Sequence, residues 1–141
     1  MNAKTYLSQV KKCDRIIENK LSEIESLRGM ILSVTSTLKQ DVVQSNGSQD
    51  KLGDTIAKIV DLQNEINADI DRFVDLKREV MSIIDQLDSP FSEILYKRYF
   101  QYKKWEEIAV ELNYSFRQVT RLHGQALVKV NDVLKCHMEM R

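Results

Sequence analysis

Helix breakers are scarce in this chain: one proline, Pro90, and four glycines stand among 141 residues. Long helices therefore meet few obstacles. Cysteine is nearly absent too. Cys13 and Cys136 lie far apart, and with His123 and His137 they form no spacing that holds a metal; even the adjacent Cys136 and His137 would point about 100° apart on a helix. No metal or other cofactor is expected, and the thiols read as isolated ones. No apolar run approaches the length a bilayer requires, and the start, MNAKTYLSQVKKCDR, lacks the apolar core of a secretory signal. The expectation is a cytoplasmic protein without a membrane partner. Phosphate-binding glycine loops, nucleophile elbows, HExxH and paired-cysteine signatures are missing as well, which predicts that the chain is not an enzyme.

What the chain has is helical material. Hydrophobic residues make up 43% and charged residues 30%, too apolar for disorder and ordinary for a soluble helical protein. The length allows one domain or two small helical ones. Net charge is zero, yet it is unevenly spread: residues 1–87 carry 12 Lys/Arg against 14 Asp/Glu, and residues 88–141 carry 9 against 7. The positive surplus gathers around Lys97, Arg98, Lys103, Lys104, Arg117, Arg121 and Lys129, opposed there by Glu106, Glu107 and Glu111. The surplus is modest, so specific nucleic-acid binding would call for two copies or a partner.

A seven-residue repeat dominates the first two-thirds. Ala3, Val10, Ile17, Ile24, Ile31 and Leu38 recur by seven, with Tyr6, Cys13, Lys20, Leu27 and Val34 three residues on. Leu52, Ile59, Ile66, Phe73, Val80 and Leu87 form a second series, widened by Ile56, Leu62, Ile70, Leu76, Ile83 and Ile84. Such a period favours long helices wound about each other. Between the series, Gln44–Gly53 (QSNGSQDKLG) is a natural reversal. The predicted fold is therefore all-α: a long antiparallel, coiled-coil-like hairpin over residues 1–88, whose apolar face is broader than one partner covers and points either to oligomerisation, a dimer above all, or to packing on the C-terminal module. A compact three-helix head over residues 89–141 follows.

The head opens at Asp88-Ser89-Pro90, with Ser89 as expected N-cap and Pro90 at the first position of a helix reaching Phe100. Its predicted core is Ile94, Leu95, Tyr99, Trp105, Ile108, Ala109, Leu112, Val119, Leu122, Ala126, Leu127 and Val130, with Trp105 a core anchor rather than a base-stacking residue. Within it, Trp105–Gly124 (WEEIAVELNYSFRQVTRLHG) has the spacing of a helix-turn-helix. Ile108 and Leu112 share a face, Ala109 is small where a second helix passes, and Asn113 suits a left-handed turn residue. Tyr114 plugs the turn. Ser115 and Gln118 form a capping box that starts the next helix at Phe116, which is expected to run to Cys136. Val119, Leu122 and Ala126 face inward, leaving Phe116, Arg117, Thr120, Arg121 and Gly124 outward, on the side that enters the major groove in this motif.

Leu95–Leu127 resembles region four of bacterial sigma factors, through its L-x-x-R-Y-F lead-in, W-E-E-I-A-x-E-L, turn, S-x-x-x-V and A-L. Sigma factors usually have glycine where Asn113 stands and a basic run where this chain reads T-R-L-H-G-Q. The form Y-S-F-R-Q-V-T-R-L-H-G-Q-A-L is more similar to phage and prophage late-gene regulators of the ArpU and RinA type. The resemblance covers about a quarter of the chain and implies transcriptional regulation of phage genes in the cytoplasm of a bacterial host cell, with RNA polymerase a further candidate partner.

Candidate base contacts are Arg117, Thr120 and Arg121, an arginine fork suiting guanine O6 and N7. Phe116 is placed either against a thymine methyl or over the helix start. Gln118 reads as cap before DNA contact. Lys97, Arg98, Lys103 and Lys104 are candidate phosphate contacts on double-stranded DNA, and His123 with Gly124 would set how closely the helix approaches the backbone. Two other functions fit the same elements: a small-terminase-like DNA-packaging protein of phage, and a coiled-coil adaptor without DNA binding.

Overall fold

The computed structural model describes residues 2–40 and 46–139, with side chains for 2–35 and 50–139. Among the described residues there are five helices and no strand: α1 Ala3–Gln40, α2 Asn46–Ile84, α3 Phe91–Tyr99, α4 Trp105–Leu112 and α5 Phe116–Glu139. The fold is all-α, as composition and periodicity predict. No helix among the described residues is long and apolar enough to cross a membrane.

The expected reversal at Gln44–Gly53 is helical over most of its length. Asn46–Gly53 already belong to α2, while Gln44 and Ser45 lie outside the described residues, as does the side chain of Leu38. Asn, Ser, Gly and Asp favour turns, but they also open helices well, and here the helix takes them. The next boundary also moves. The second long helix ends at Ile84, and Gln86 and Leu87 donate their N–H groups to the carbonyls of Ile83 and Ile84 in a tightening turn. Pro90 is the N-cap of α3 rather than its first residue, without a side-chain cap, and Ser89 does not cap it. The Asp88 and Pro90 carbonyls take the N–H groups of Ser92 and Ile94 instead.

The contacts divide the described chain into two compact units, residues 1–13 with 73–141 and residues 14–72. The expected head, 89–141, thus lies whole in the first unit, together with one end of each long helix. That unit has two apolar clusters. In the larger, Ala3, Tyr6, Leu7 and Val10 of α1 and Val80, Ile83 and Ile84 of α2 pack with Leu95, Tyr99, Ala126 and Val130. The start of α1 is tied to the rear of α5 by the Ala3 N–H, which donates to Asn131 Oδ1 at 2.8 Å. The Tyr6 hydroxyl, buried without a hydrogen bond of ordinary geometry, is pushed up to about 12 by burial first and by the nearby Glu79 carboxylate second. The smaller cluster, Ile94, Ile108, Ala109 and Val119, joins α3, α4 and the start of α5.

In the second unit the heptad series is buried where expected, at Ile17, Ile24, Leu27, Ile59 and Ile66. Lys20, the one charged member of its series, does not break the stripe, because Asp69 and Glu65 receive its ammonium group. Asp69 is itself buried and also accepts from Arg72. Hydrogen bonds from Lys20 and then Arg72 hold its carboxyl below the usual carboxylate range. A shift of register between α1 and α2 would separate these charges and leave the Asp69 carboxylate in the seam without Lys20.

Candidate nucleic-acid interface

The turn from α4 into α5 grows from local chemistry. Asn113 ends α4 with φ 59° and ψ 38°, the left-handed conformation, and Tyr114 donates its N–H back to Ala109 O at 3.0 Å. That closure satisfies carbonyls which a helix end leaves open. Two residues later the Ser115 hydroxyl accepts the Gln118 N–H at 3.1 Å, which starts α5 at Phe116. This is the cap half of the expected box; the Gln118 side chain is exposed and makes no return bond among the described residues. Ile108 and Val119 are fully buried between the two helices, Ala109 lets them approach, and Leu112, Tyr114, Leu122 and Trp105 close the rim. The helix α5 runs on to Glu139, beyond the expected Cys136, and packs by Val130, Val133 and Leu134 on the larger cluster.

With that face inward, the expected reading residues fall outward. Arg117 and Arg121 are exposed, one helical turn apart, and no other described residue bonds or pairs with their guanidinium groups. Phe116 is half exposed beside them. Thr120 is partly buried and spends its hydroxyl proton on Arg117 O at 3.0 Å, which leaves its oxygen as an acceptor. Gly124 is exposed, with open space where a Cβ would stand.

The four expected phosphate contacts do not stand alike. Lys97 and Lys103 converge on one carboxylate: Lys97 Nζ lies 2.7 Å from Glu111 Oε2, and Lys103 pairs with Oε1. Hydrogen bonds from Lys103 and then Lys97 hold the Glu111 carboxyl below its usual range. Arg98 donates to Lys103 O at 3.0 Å and lays its guanidinium 4.3 Å over the Trp105 ring. Lys104, exposed at the N-cap of α4, is bound by none of these.

His123, expected with Gly124 to set how closely the helix approaches the DNA backbone, is engaged within the fold instead: its ring stands 4.5 Å from that of Trp105, and Nε2 lies 2.8 Å from the Tyr99 hydroxyl. Burial first, and then the charges of Arg98 and Lys4, lower its pKa to about 4, so the ring is neutral at pH 7. Arg98, Trp105, His123 and Tyr99 therefore form one stack that holds α3, the start of α4 and α5 together. Sequence reading missed this stack and the Glu111 clamp. The available signal was the coincidence of Trp, His and Arg around one short helix. Among the described residues no group of His, Cys, Asp and Glu could hold a metal.

Neither a family model, a curated protein nor a solved structure matches the chain.

Proposed function

We propose that the chain is a sequence-specific DNA-binding transcriptional regulator of phage or prophage genes, acting in the bacterial cytoplasm and reading the major groove with the first turns of α5. The observation that carries this reading is the exposed pair Arg117 and Arg121. Both cations stand without a partner among the described residues, at the front of a helix whose opposite face is locked by Ile108, Ala109 and Val119. Side chains left without partners on a rigid helix are what base readout requires, because the scaffold and not the DNA sets their direction. Thr120 and Phe116 extend the same strip. Lys104 is the readiest phosphate contact, with Lys97 and Lys103 available once Glu111 releases them.

The two long helices belong to the reading as an antiparallel hairpin that joins copies of the chain, a dimer first, and offers a surface to RNA polymerase. Higher numbers on α1 meeting lower numbers on α2 support that sense of pairing: Tyr6 lies near Glu79, and Lys20 meets Glu65 and Asp69.

Selection of bound fragments from a random duplex pool, with the mass of the free protein measured in parallel, tests the proposal. Enrichment of one motif is expected. A ring-sized assembly would favour DNA packaging, and absence of binding even at low salt would leave only the adaptor role.

A further inference from the structure

The stripe of α2 that carries the buried Ile59, Ile66 and Val80 has an apolar neighbour. Ile56, Val60, Gln63, Asn67, Ile70 and Val74 follow one another along α2 in steps of four, three, four, three and four. Those alternating steps hold all six on one strip of helix, about 27 Å long. The four aliphatic members are 47%, 47%, 41% and 46% exposed in chain order. Gln63 and Asn67 are exposed too, and their amides meet no other described residue.

The order of the strip says what fits it. From either end it reads aliphatic, aliphatic, amide, amide, aliphatic, aliphatic. Ile56, Gln63 and Ile70 occupy one heptad position, and Val60, Asn67 and Val74 the other. When two antiparallel helices meet along such a seam, each layer matches one position with the other. A second copy, turned about a twofold axis beside Glu65, then sets Ile56 against Val74, Val60 against Ile70 and Gln63 against Asn67. Every apolar layer becomes one isoleucine plus one valine, and every polar layer pairs two amides with matched donors and acceptors. At the flank, Ala57 comes opposite Asp71 and Asn64 opposite its own copy, so no like charges face each other. A parallel pairing would instead stack each residue on itself, giving layers of unequal volume.

We propose that this strip of α2 is a homodimer seam, in which a second copy of the chain packs antiparallel and the Gln63–Asn67 amide pairs set its register. The proposal deepens the dimer named above and rests on that part of the reading alone. Light scattering of the full chain without DNA, at about 100 μM where a small interface is populated, is expected to give a dimer. The pair of substitutions Val60→Glu with Ile70→Glu sets like charges across two layers and is expected to weaken the dimer about tenfold or more. Val60→Glu with Ile70→Lys sets opposite charges across the same layers and is expected to keep it. Both variants sit at half-exposed positions, and circular dichroism checks that they stay helical. A second measurement does not depend on charge. In a Cys13→Ser, Cys136→Ser background, oxidising a mixture of Gln63→Cys and Asn67→Cys chains is expected to join the two species to each other. A monomeric wild type, or a Glu/Glu variant as dimeric as wild type, overturns the seam. Loss of the Glu/Lys dimer, or mostly self-linked cysteine products, overturns the antiparallel register. None of these readouts involves DNA, so failure here and failure of the DNA reading are told apart.

Discussion

Replacing Ile108 by alanine asks how firmly α5 is seated on α4. Ile108, Ile94 and Val119 are each fully buried, and Ala109 brings α4 and α5 close enough that the neighbours have little room to relax. The substitution removes three carbons from this cluster. At about 0.8 kcal/mol for each buried methylene, transfer alone costs roughly 2.4 kcal/mol, and the unfilled cavity brings the total to about 3–4 kcal/mol. Trp105 is the only tryptophan and lines the same cluster, so its fluorescence through a urea titration follows this part of the molecule directly. A fall of about 3–4 kcal/mol at unchanged m-value is expected. Where the variant remains folded, its DNA affinity should drop only in proportion to the unfolded fraction, because Ile108 touches no ligand. A loss under about 1 kcal/mol would refute the packing of α4 on α5 on which the placement of Arg117 and Arg121 depends.

The remaining perturbations act on charge. His123 in the folded chain takes a proton only near pH 4, whereas the unfolded chain takes one near pH 6.5. The unfolded state therefore binds more protons between those values, and the stability contributed by the neutral ring, complete above pH 6.5, is lost as the pH falls towards 4. With solvent still reaching a partly buried ring the loss is about 1–2 kcal/mol. Unfolding curves at pH 7 and pH 4.5 should differ more for wild type than for His123→Gln; equal slopes would place His123 outside the stack. Glu111→Gln frees Lys97 and Lys103 from their shared carboxylate. DNA affinity at low salt should rise, and the slope of log K against log salt should steepen by about 1–2, from as many new phosphate contacts. An unchanged slope would turn those lysines away from DNA.

Much of the segment from α4 into α5 was legible because its determinants are local. A left-handed Asn113, a Ser115 cap and the inward spacing of Ile108, Val119 and Ala126 each act within a turn or two of chain. The heptad series were legible for the same reason, since burial of Ile17, Ile24, Ile59 and Ile66 follows from period alone. Pairings between distant elements were not. Lys97, Arg98 and Lys103 look alike on paper as free cations, yet Glu111, from another helix, holds two and the face of Trp105 takes the third. His123, expected to bear with Gly124 on how closely the helix approaches DNA, turns in, because Tyr99 and Trp105 offer its ring both contact and a hydrogen bond. At Asn46–Gly53 turn-forming residues were absorbed into α2, where helix continuation outweighs local preference.

The most direct test of the central claim compares wild type and Arg121→Ala on a selected duplex and on its scrambled counterpart, at one salt concentration. A lost guanine contact is worth about 1–3 kcal/mol, or roughly 5- to 150-fold in affinity, and the loss should fall on the selected sequence with little change on the scrambled one. Equal losses on both duplexes would make Arg121 a phosphate contact, and no binding by wild type to either would remove DNA from the account.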